Sequence, residues 1–484
     1  MATKMKTASV KKNFMYQMIY EVLVIILPFV TSPYIARVIG AEGLGVYSYS
    51  HSVAYYFVLF SMLGLKNYGN RAIASNRDKQ EDLNKTFSNI LAVHIMVSIL
   101  CCVCYAGYTI SLKKDMIYAA IQGLYVVSGL FDISWFYFGI EKFKTTVIRN
   151  TIIRILNVIC VFVLVKDADD LWKYCLIMAA GMLISQMYLW LPLKKYIKII
   201  RPQKSEMVKH IKPMFILFIP AIAVSLYKYM DKIMIGSIST KTQLGYYENA
   251  EKVINVPMTI IGSFGTVMLP KMSNLAASKD KKQSDRYMLL SMRYVMCLSF
   301  ALAFGLAGVG KIFAPVFWGR KFQISGNIIM GLAITIPFIA FANIIRTQYL
   351  IPQGKDKEYL ISVICGAVIN IVINALLISD FGAMGATVGT ICAEVMVCLI
   401  QCFAVRKELP LLTYVKNAYI CFLYGLVMFI MVFGIGKVLD VKLTTLVIQI
   451  MSGAALYGIA TVIYFSVIKE DVFMKMKKKL LKNK

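Results

Sequence analysis

Charge is scarce in this chain of 484 residues: Asp, Glu, Lys and Arg together make up 16%, while hydrophobic residues make up 59%. With a mean hydropathy of +0.67, too little charge is left to cover a water-soluble surface, so a soluble fold is excluded. Acidic residues are the scarcer sign, 25 against 53 basic ones, which leaves a net charge of +28. Histidine occurs only three times. The eleven cysteines, among them Cys101, Cys102, Cys104, Cys160, Cys297 and Cys392, lie within apolar spans and adjoin no histidine cluster. They read as packing residues, and neither a metal site nor a cofactor is expected. A nucleotide fingerprint and a long extramembrane segment are also lacking, which argues against a membrane enzyme.

What is present is a succession of apolar runs of the length that crosses a bilayer, roughly 20 residues each. Fourteen spans are expected: 14–38, 44–65, 88–110, 116–138, 147–166, 172–192, 214–236, 245–269, 288–312, 326–350, 358–379, 384–404, 416–437 and 443–466. They are too long and continuous for the alternating strands of a β-barrel. The fold class is therefore all-α and polytopic. With the N-terminus inside, the inner side holds about 36 Lys and Arg and the outer loops about 8, so both termini are expected in the cytoplasm. The positive charge then serves orientation and attraction to an anionic leaflet, not nucleic acid. The first run is too long for a signal-peptide core and contains Glu21 and Pro28, so it is expected to remain as a span.

Internal repetition suggests two related bundles. Ile39-Gly40 followed by Leu44-Gly45-Val46-Tyr47 is echoed by Ile235-Gly236 followed by Leu244-Gly245-Tyr246-Tyr247, an offset of about 200 residues. Tyr137-Phe138-Gly139 with Asn157 is echoed by Tyr349-Leu350, Gly354 and Asn374 at a similar offset. The expected organisation is an N-terminal lobe over 1–192, a basic cytoplasmic linker over 193–213, a C-terminal lobe over 214–404, two further helices over 405–466, and a basic tail over 467–484. In the tail, Phe473, Met474, Met476, Leu480 and Leu481 alternate with Lys, as in a helix lying on the inner surface.

Basic residues within the spans are the candidate functional groups, because Lys or Arg at a helix centre costs roughly 2.5 to 3.5 kcal/mol even on a lenient scale. Lys173 and Lys311 lie at span ends and can reach the interface. Arg37, Lys228, Asp231, Lys232, Glu248, Glu251 and Lys252 form an outer mixed-charge group on spans 1, 7 and 8, with Lys228/Lys232 and Glu248/Lys252 at helical spacing. Arg154, Arg293 and Arg346 form an inner group, with Asp132 at similar depth. Three guanidiniums suit a phosphate, although each could instead reach lipid headgroups or a carboxylate. Glu394 and Glu21 have no neighbouring counter-ion in sequence and could be protonated, paired across helices, or part of an ion-coupling site. Pro28 and Pro33 bracket the outer half of span 1, a plausible bent gate among several span prolines including Pro220, Pro257, Pro270 and Pro337.

The stretches Asn13-Phe14-Met15-Tyr16-Gln17 and 28–40 (Pro28 to Gly40) resemble the opening of Wzx-type polysaccharide-export flippases of the multidrug/oligosaccharidyl-lipid/polysaccharide exporter superfamily. Similar to further family segments are Asn67-Tyr68-Gly69-Asn70-Arg71, Tyr229-Met230-Asp231-Lys232, Tyr247-Glu248-Asn249-Ala250-Glu251-Lys252, Met268-Leu269-Pro270-Lys271, and Gly382-Ala383-Met384-Gly385-Ala386 before Glu394. The resemblance covers roughly residues 13 to 400. It implies a bacterial cytoplasmic-membrane flippase that moves undecaprenyl-pyrophosphate-linked repeat units of capsule, O-antigen or exopolysaccharide to the outer leaflet by alternating access. Related members export drugs or flip the peptidoglycan precursor.

In this reading Arg154, Arg293 and Arg346 capture the pyrophosphate. Arg37, Lys228, Lys232 and Lys252 bind it deeper, and Asp231, Glu248 and Glu251 serve the gate. Glu394, Glu21 and Asp132 join the gating or ion-coupling set, with coupling to the potential, H+ or Na+ open. Expected partners are the lipid-linked oligosaccharide, membrane lipids, and a polysaccharide polymerase with its assembly proteins. A scaffold for that machinery is the alternative of a different class. For a cationic-drug antiporter, carboxylates should outnumber bases in the spans, which they do not.

Overall fold

The computed structural model describes residues 27–470, 473 and 474, and among them every regular element is helical. Span 1 before residue 27, Glu21, and the tail residues Met476, Leu480 and Leu481 lie outside the described residues. The chain divides into two compact units, the first ending at Gly245 and the second beginning at Tyr246.

The first unit contains α1 (27–38), then α2 (Gly40–Met62), α3 (Leu65–Asn76), α4 (Gln80–Ser111), α5 (Met116–Leu130), α6 (Ser134–Gly139), α7 (Phe143–Leu164), α8 (Leu171–Tyr188) and α9 (Lys204–Ile238), and ends in the first turn of α10 (Lys241–Ala277). Small residues let these helices approach closely, the usual device where lipid removes the hydrophobic drive between helices. A Cβ on Gly45 would lie 1.7 Å from the Lys241 carbonyl oxygen, and one on Gly245 would lie 1.9 Å from that of Ala41. The two echoed glycines thus meet the start of each other's helix reciprocally. α2 ends where Leu63 and Gly64 take positive φ of 40° and 72°, and a Cβ at Gly64 would meet the Met214 carbonyl oxygen at 2.6 Å. Below that turn, Phe87, Trp135, Phe136 and Tyr137 pack a core with Ile73 and Leu83.

The second unit continues α10 with α11 (Lys281–Trp318), α12 (Gln323–Ala333), α13 (Thr335–Ile345), α14 (Asp356–Phe381), α15 (Ala383–Val405), α16 (Leu411–Val438) and α17 (Leu443–Val467). Asp280 caps α11, accepting from the Gln283 amide at 3.0 Å. α16 packs on α11 where Gly308 faces Val432, α17 packs on α16 where Gly453 faces Val432, and the Tyr457 hydroxyl of α17 donates to the Cys297 carbonyl of α11 at 2.7 Å.

Twelve helices among the described residues are long and apolar enough to cross a membrane. The expected fourteen included span 1, which starts outside the described residues, and span 2. The latter corresponds to α2, which carries buried Ser48, Ser50 and Ser52 together with His51 and several tyrosines, and these make it less apolar than its neighbours. Span 4 is not one rod. It breaks at Phe131–Ile133, because the Asp132 carboxylate accepts the Ser134 amide at 2.9 Å and so starts α6 afresh. Span 10 divides into α12 and α13 and closes in a π turn over Arg346–Leu350. The basic stretch 193–213 is not all connection, since α9 begins at Lys204. Span 1 is continuously helical over 27–38, through both Pro28 and Pro33.

Candidate functional site

Within the first unit, one face of α2 carries Tyr47, His51 and Tyr55 at successive four-residue steps, which places them one above another. Each meets a ring from another helix: Tyr47 meets Tyr174 of α8 at 4.8 Å, His51 stacks on Tyr125 of α5 at 4.7 Å, and Tyr55 stacks on Tyr229 of α9 at 3.8 Å. The Tyr56 hydroxyl donates to the Ser225 carbonyl at 3.2 Å, tying α2 to α9 at the same level. The α9 charges gather here. The Lys232 ammonium lies 5.6 Å over the Tyr229 ring, Asp231 is buried, and Lys228 is exposed. Arg37 on α1 is also exposed.

The sequence reading missed a cation that lies against α2. Lys241 lies 3.0 Å over the Tyr49 ring and donates to the Gly236 carbonyl at 2.9 Å. The aromatic column was legible as an i, i+4, i+8 pattern, but it carries no charge to draw attention. Arg149 was also missed, and it proves structural: its guanidinium donates to the Ser185 carbonyl at 3.0 Å and Gln186 Oε1 at 2.9 Å, and to Asn150. Arg154, one turn and a half further along α7, is half-buried. Lys173 pairs with Asp170 at the start of α8, as expected for a residue at a span end.

In the second unit Glu248 and Lys252 form the ion pair their spacing predicts, at 3.5 Å, and Lys252 also reaches Asn249 Oδ1 at 3.5 Å. Glu251 is half-buried on the same helix. Glu394 is buried in α15. The three inner arginines are distributed over the two units. Arg154 belongs to the first unit, whereas Arg346 stacks on Tyr359 at 5.4 Å and Arg293 lies near Tyr464 and Cys421, its Nε buried without a hydrogen bond.

The same unit contains an apolar groove of about 1130 Å³ between α11, α12, α13, α15 and α16, lined by Phe300, Phe304, Ala307, Met330, Phe338 and Phe422 among others, with Lys311 also at its wall. The Lys311 ammonium sits 5.4 Å over the Phe433 ring. Sequence reading did not find this groove, because its residues look like ordinary lipid-facing side chains until the helices are placed. Outside the membrane, Lys355 donates to both Glu408 oxygens at 2.5 and 2.6 Å and the Tyr349 hydroxyl donates to Glu408 at 2.5 Å. The Lys355 ammonium, and then the Tyr349 hydroxyl, hold the Glu408 carboxyl below the usual carboxylate range.

Comparison with known proteins gives this arrangement a context. The model of a family described as polysaccharide biosynthesis protein matches residues 10–276. The chain is 24% identical over 400 residues to the "Putative O-antigen transporter" of Shigella dysenteriae, covering 82% of this chain and 100% of that one. It is 20% identical over 409 residues to a protein of the same description from Escherichia coli K12, covering 83% and 97%. Among solved structures, the inward closed conformation of the lipid II flippase MurJ superposes with a TM-score of 0.76 at 15% identity, covering 95% of this chain and 99% of that one. That likeness is one of fold.

Proposed function

The chain belongs to the polysaccharide biosynthesis protein family, and on that premise we propose that it is a flippase carrying undecaprenyl-pyrophosphate-linked oligosaccharide units from the inner to the outer leaflet of a bacterial cytoplasmic membrane by alternating access. The observation that carries this reading is a cation set against an aromatic stack inside membrane helices, Lys232 over Tyr229 and Tyr229 on Tyr55. A glycolipid headgroup needs both. Its pyrophosphate loses water on entering the membrane and requires a substitute cation, and its sugars present faces and hydroxyls that amphipathic rings can cover.

The other half of such a substrate is a long hydrocarbon chain, which needs no polar partner. The apolar groove of the second unit suits it. In the first unit Lys228, Lys232 and Arg37 serve as headgroup ligands with Asp231 as their counter-charge, and in the second unit Lys252 serves with Glu248 and Glu251 as gate charges. Arg154, Arg293 and Arg346 act separately in drawing the anion from the inner leaflet. An inside-negative potential favours outward movement of an anionic headgroup by about 2.3 kcal/mol per charge per 100 mV. Both termini lie in the cytoplasm in this scheme, and a polymerase with its assembly proteins receives the product on the outer side.

The test is the Lys228→Gln/Lys232→Gln double variant. Polymer export in cells is expected to fall at least about 100-fold, a loss of about 2.7 kcal/mol of headgroup stabilisation, with insertion and unfolding temperature retained. Normal export by that variant would remove these lysines from the site.

A further inference from the structure

Three glycines draw α16 along α11. A Cβ on Gly425 would stand 2.3 Å from the Phe304 ring, one on Gly308 2.8 Å from Val432, and one on Gly436 3.1 Å from Ile312. Residue numbers rise together along this seam, so the two helices run parallel. Lys311 and Lys437, each next to the last contact, therefore arrive at the same end. There the Lys311 ammonium lies 5.4 Å and the Lys437 ammonium 5.2 Å from the centre of one ring, that of Phe433. A further close approach brings an amide side chain to this level. A Cβ on Gly326 would lie 2.6 Å from the Gly310 carbonyl oxygen and 3.1 Å from the Lys311 Cα, which starts α12 against α11 and sets Asn327 on the groove wall with Lys311. Lys311, Asn327 and Lys437 are all exposed. Among the described residues neither lysine enters an ion pair, and Asp440, three residues beyond Lys437, is held by Lys442 at 2.9 Å.

The rest of the groove lining is largely apolar. Along α16 it runs from Leu411 to Phe429, about 27 Å of helix, which is nearly the whole of a hydrocarbon core about 30 Å thick. An acyl chain of a phospholipid occupies one leaflet, about half that depth, whereas a polyprenyl chain is long enough to fill all of it. The two lysines stand at one end only, the end that the distribution of loop charges places outside. A ring face is a weaker partner for an ammonium than a phosphate oxygen, and the flexible lysine stems let both heads turn from Phe433 onto one anion.

We propose that this end of the groove is a phosphate subsite for a polyprenyl lipid: Lys311 and Lys437 take the phosphate nearest the chain, Asn327 donates to it, and the chain lies down the groove. The subsite rests on the flippase reading above and adds to it the place where the lipid is held once its headgroup is outside. A lipid gripped by its phosphate and its chain leaves its sugars free in water.

Binding tests this without transport. Native mass spectrometry follows undecaprenyl phosphate, undecaprenol or phosphatidylglycerol on the purified protein in detergent, in a Lys228→Gln/Lys232→Gln background that removes the first-unit lysines. That protein is expected to bind undecaprenyl phosphate at least about 10-fold more tightly than either of the other two lipids. Adding Lys311→Gln and Lys437→Gln is expected to abolish the preference over undecaprenol, with undecaprenol binding and unfolding temperature unchanged, while Lys311→Arg with Lys437→Arg keeps the preference. Each single Lys→Gln change is expected to remove part of it. A preference that survives both Lys→Gln substitutions overturns the phosphate subsite, and phosphatidylglycerol bound as tightly as undecaprenyl phosphate overturns the polyprenyl occupant. Absence of leaflet transfer by wild type, with the lysine-dependent preference intact, strikes the flippase reading and leaves the subsite. Transfer without that preference strikes the subsite and leaves the flippase reading.

Discussion

Gly45 and Gly245 occupy positions where no side chain fits, because each opposes a backbone carbonyl at 1.7 and 1.9 Å from where a Cβ would stand. Backbone cannot swing aside as a side-chain tip can. Gly45→Ala is therefore expected to exceed the 1–3 kcal/mol typical of about one added methyl in a packed core, and to be read as a large fall in unfolding temperature or loss of the monodisperse protein in detergent. Gly107 has nothing within 4 Å, and Gly107→Ala in the same assay is expected to be neutral or to stabilise α4 by about 0.5–1 kcal/mol. The repeated Leu-Gly at an offset of about 200 was visible in the sequence as similarity. Its physical reason was not, because a close approach of two backbones needs both partners placed.

Glu408 sets a pH dependence at the same scale. Its carboxyl titrates lower in the folded protein than in the unfolded chain because Lys355 and Tyr349 favour the ionised form. The stabilisation is therefore present above the ordinary carboxylate pKa and lost as pH falls through the lower folded value. The unfolding temperature of wild type is expected to exceed that of Glu408→Gln at neutral pH, with the gap closing in acid. A gap that widens in acid would contradict the assignment.

Among elements, the two broken spans carry the most information, and the sequence hid both. Phe131-Asp132-Ile133 reads as one acid in an apolar run until the Asp132 carboxylate is seen accepting the Ser134 amide where α6 begins. Arg346 reads as a lone cation until the π turn turns it towards Tyr359. The groove makes a further prediction. Ala307 lies on its wall, and Ala307→Trp is expected to slow flipping of a long polyprenyl substrate at least about 10-fold, or 1.4 kcal/mol, while a short-chain analogue is moved nearly as well. Equal slowing of both, in vesicles of one composition, would remove the groove from the hydrocarbon path.

At the scale of the molecule, an all-helical membrane protein was legible from hydropathy alone, because bilayer thickness dictates helix length, whereas the transporter reading needed the repeated halves, the charges in the spans and the family resemblance. The neighbours of the inner arginines were not legible, since depth in sequence says nothing about azimuth around a helix. Arg293 and Arg346 meet different neighbours, Tyr464 and Tyr359. The aromatic column of α2 and the α9 charges, by contrast, converge within one unit. The most direct measurement is leaflet transfer of an undecaprenyl-pyrophosphate-linked oligosaccharide by the purified protein in sealed vesicles, scored by access of a membrane-impermeant sugar-modifying enzyme. Transfer above protein-free vesicles, lost in the Lys228→Gln/Lys232→Gln double variant, is the expected result. Vesicles that move a cationic drug but leave the glycolipid in its original leaflet would contradict the flippase assignment.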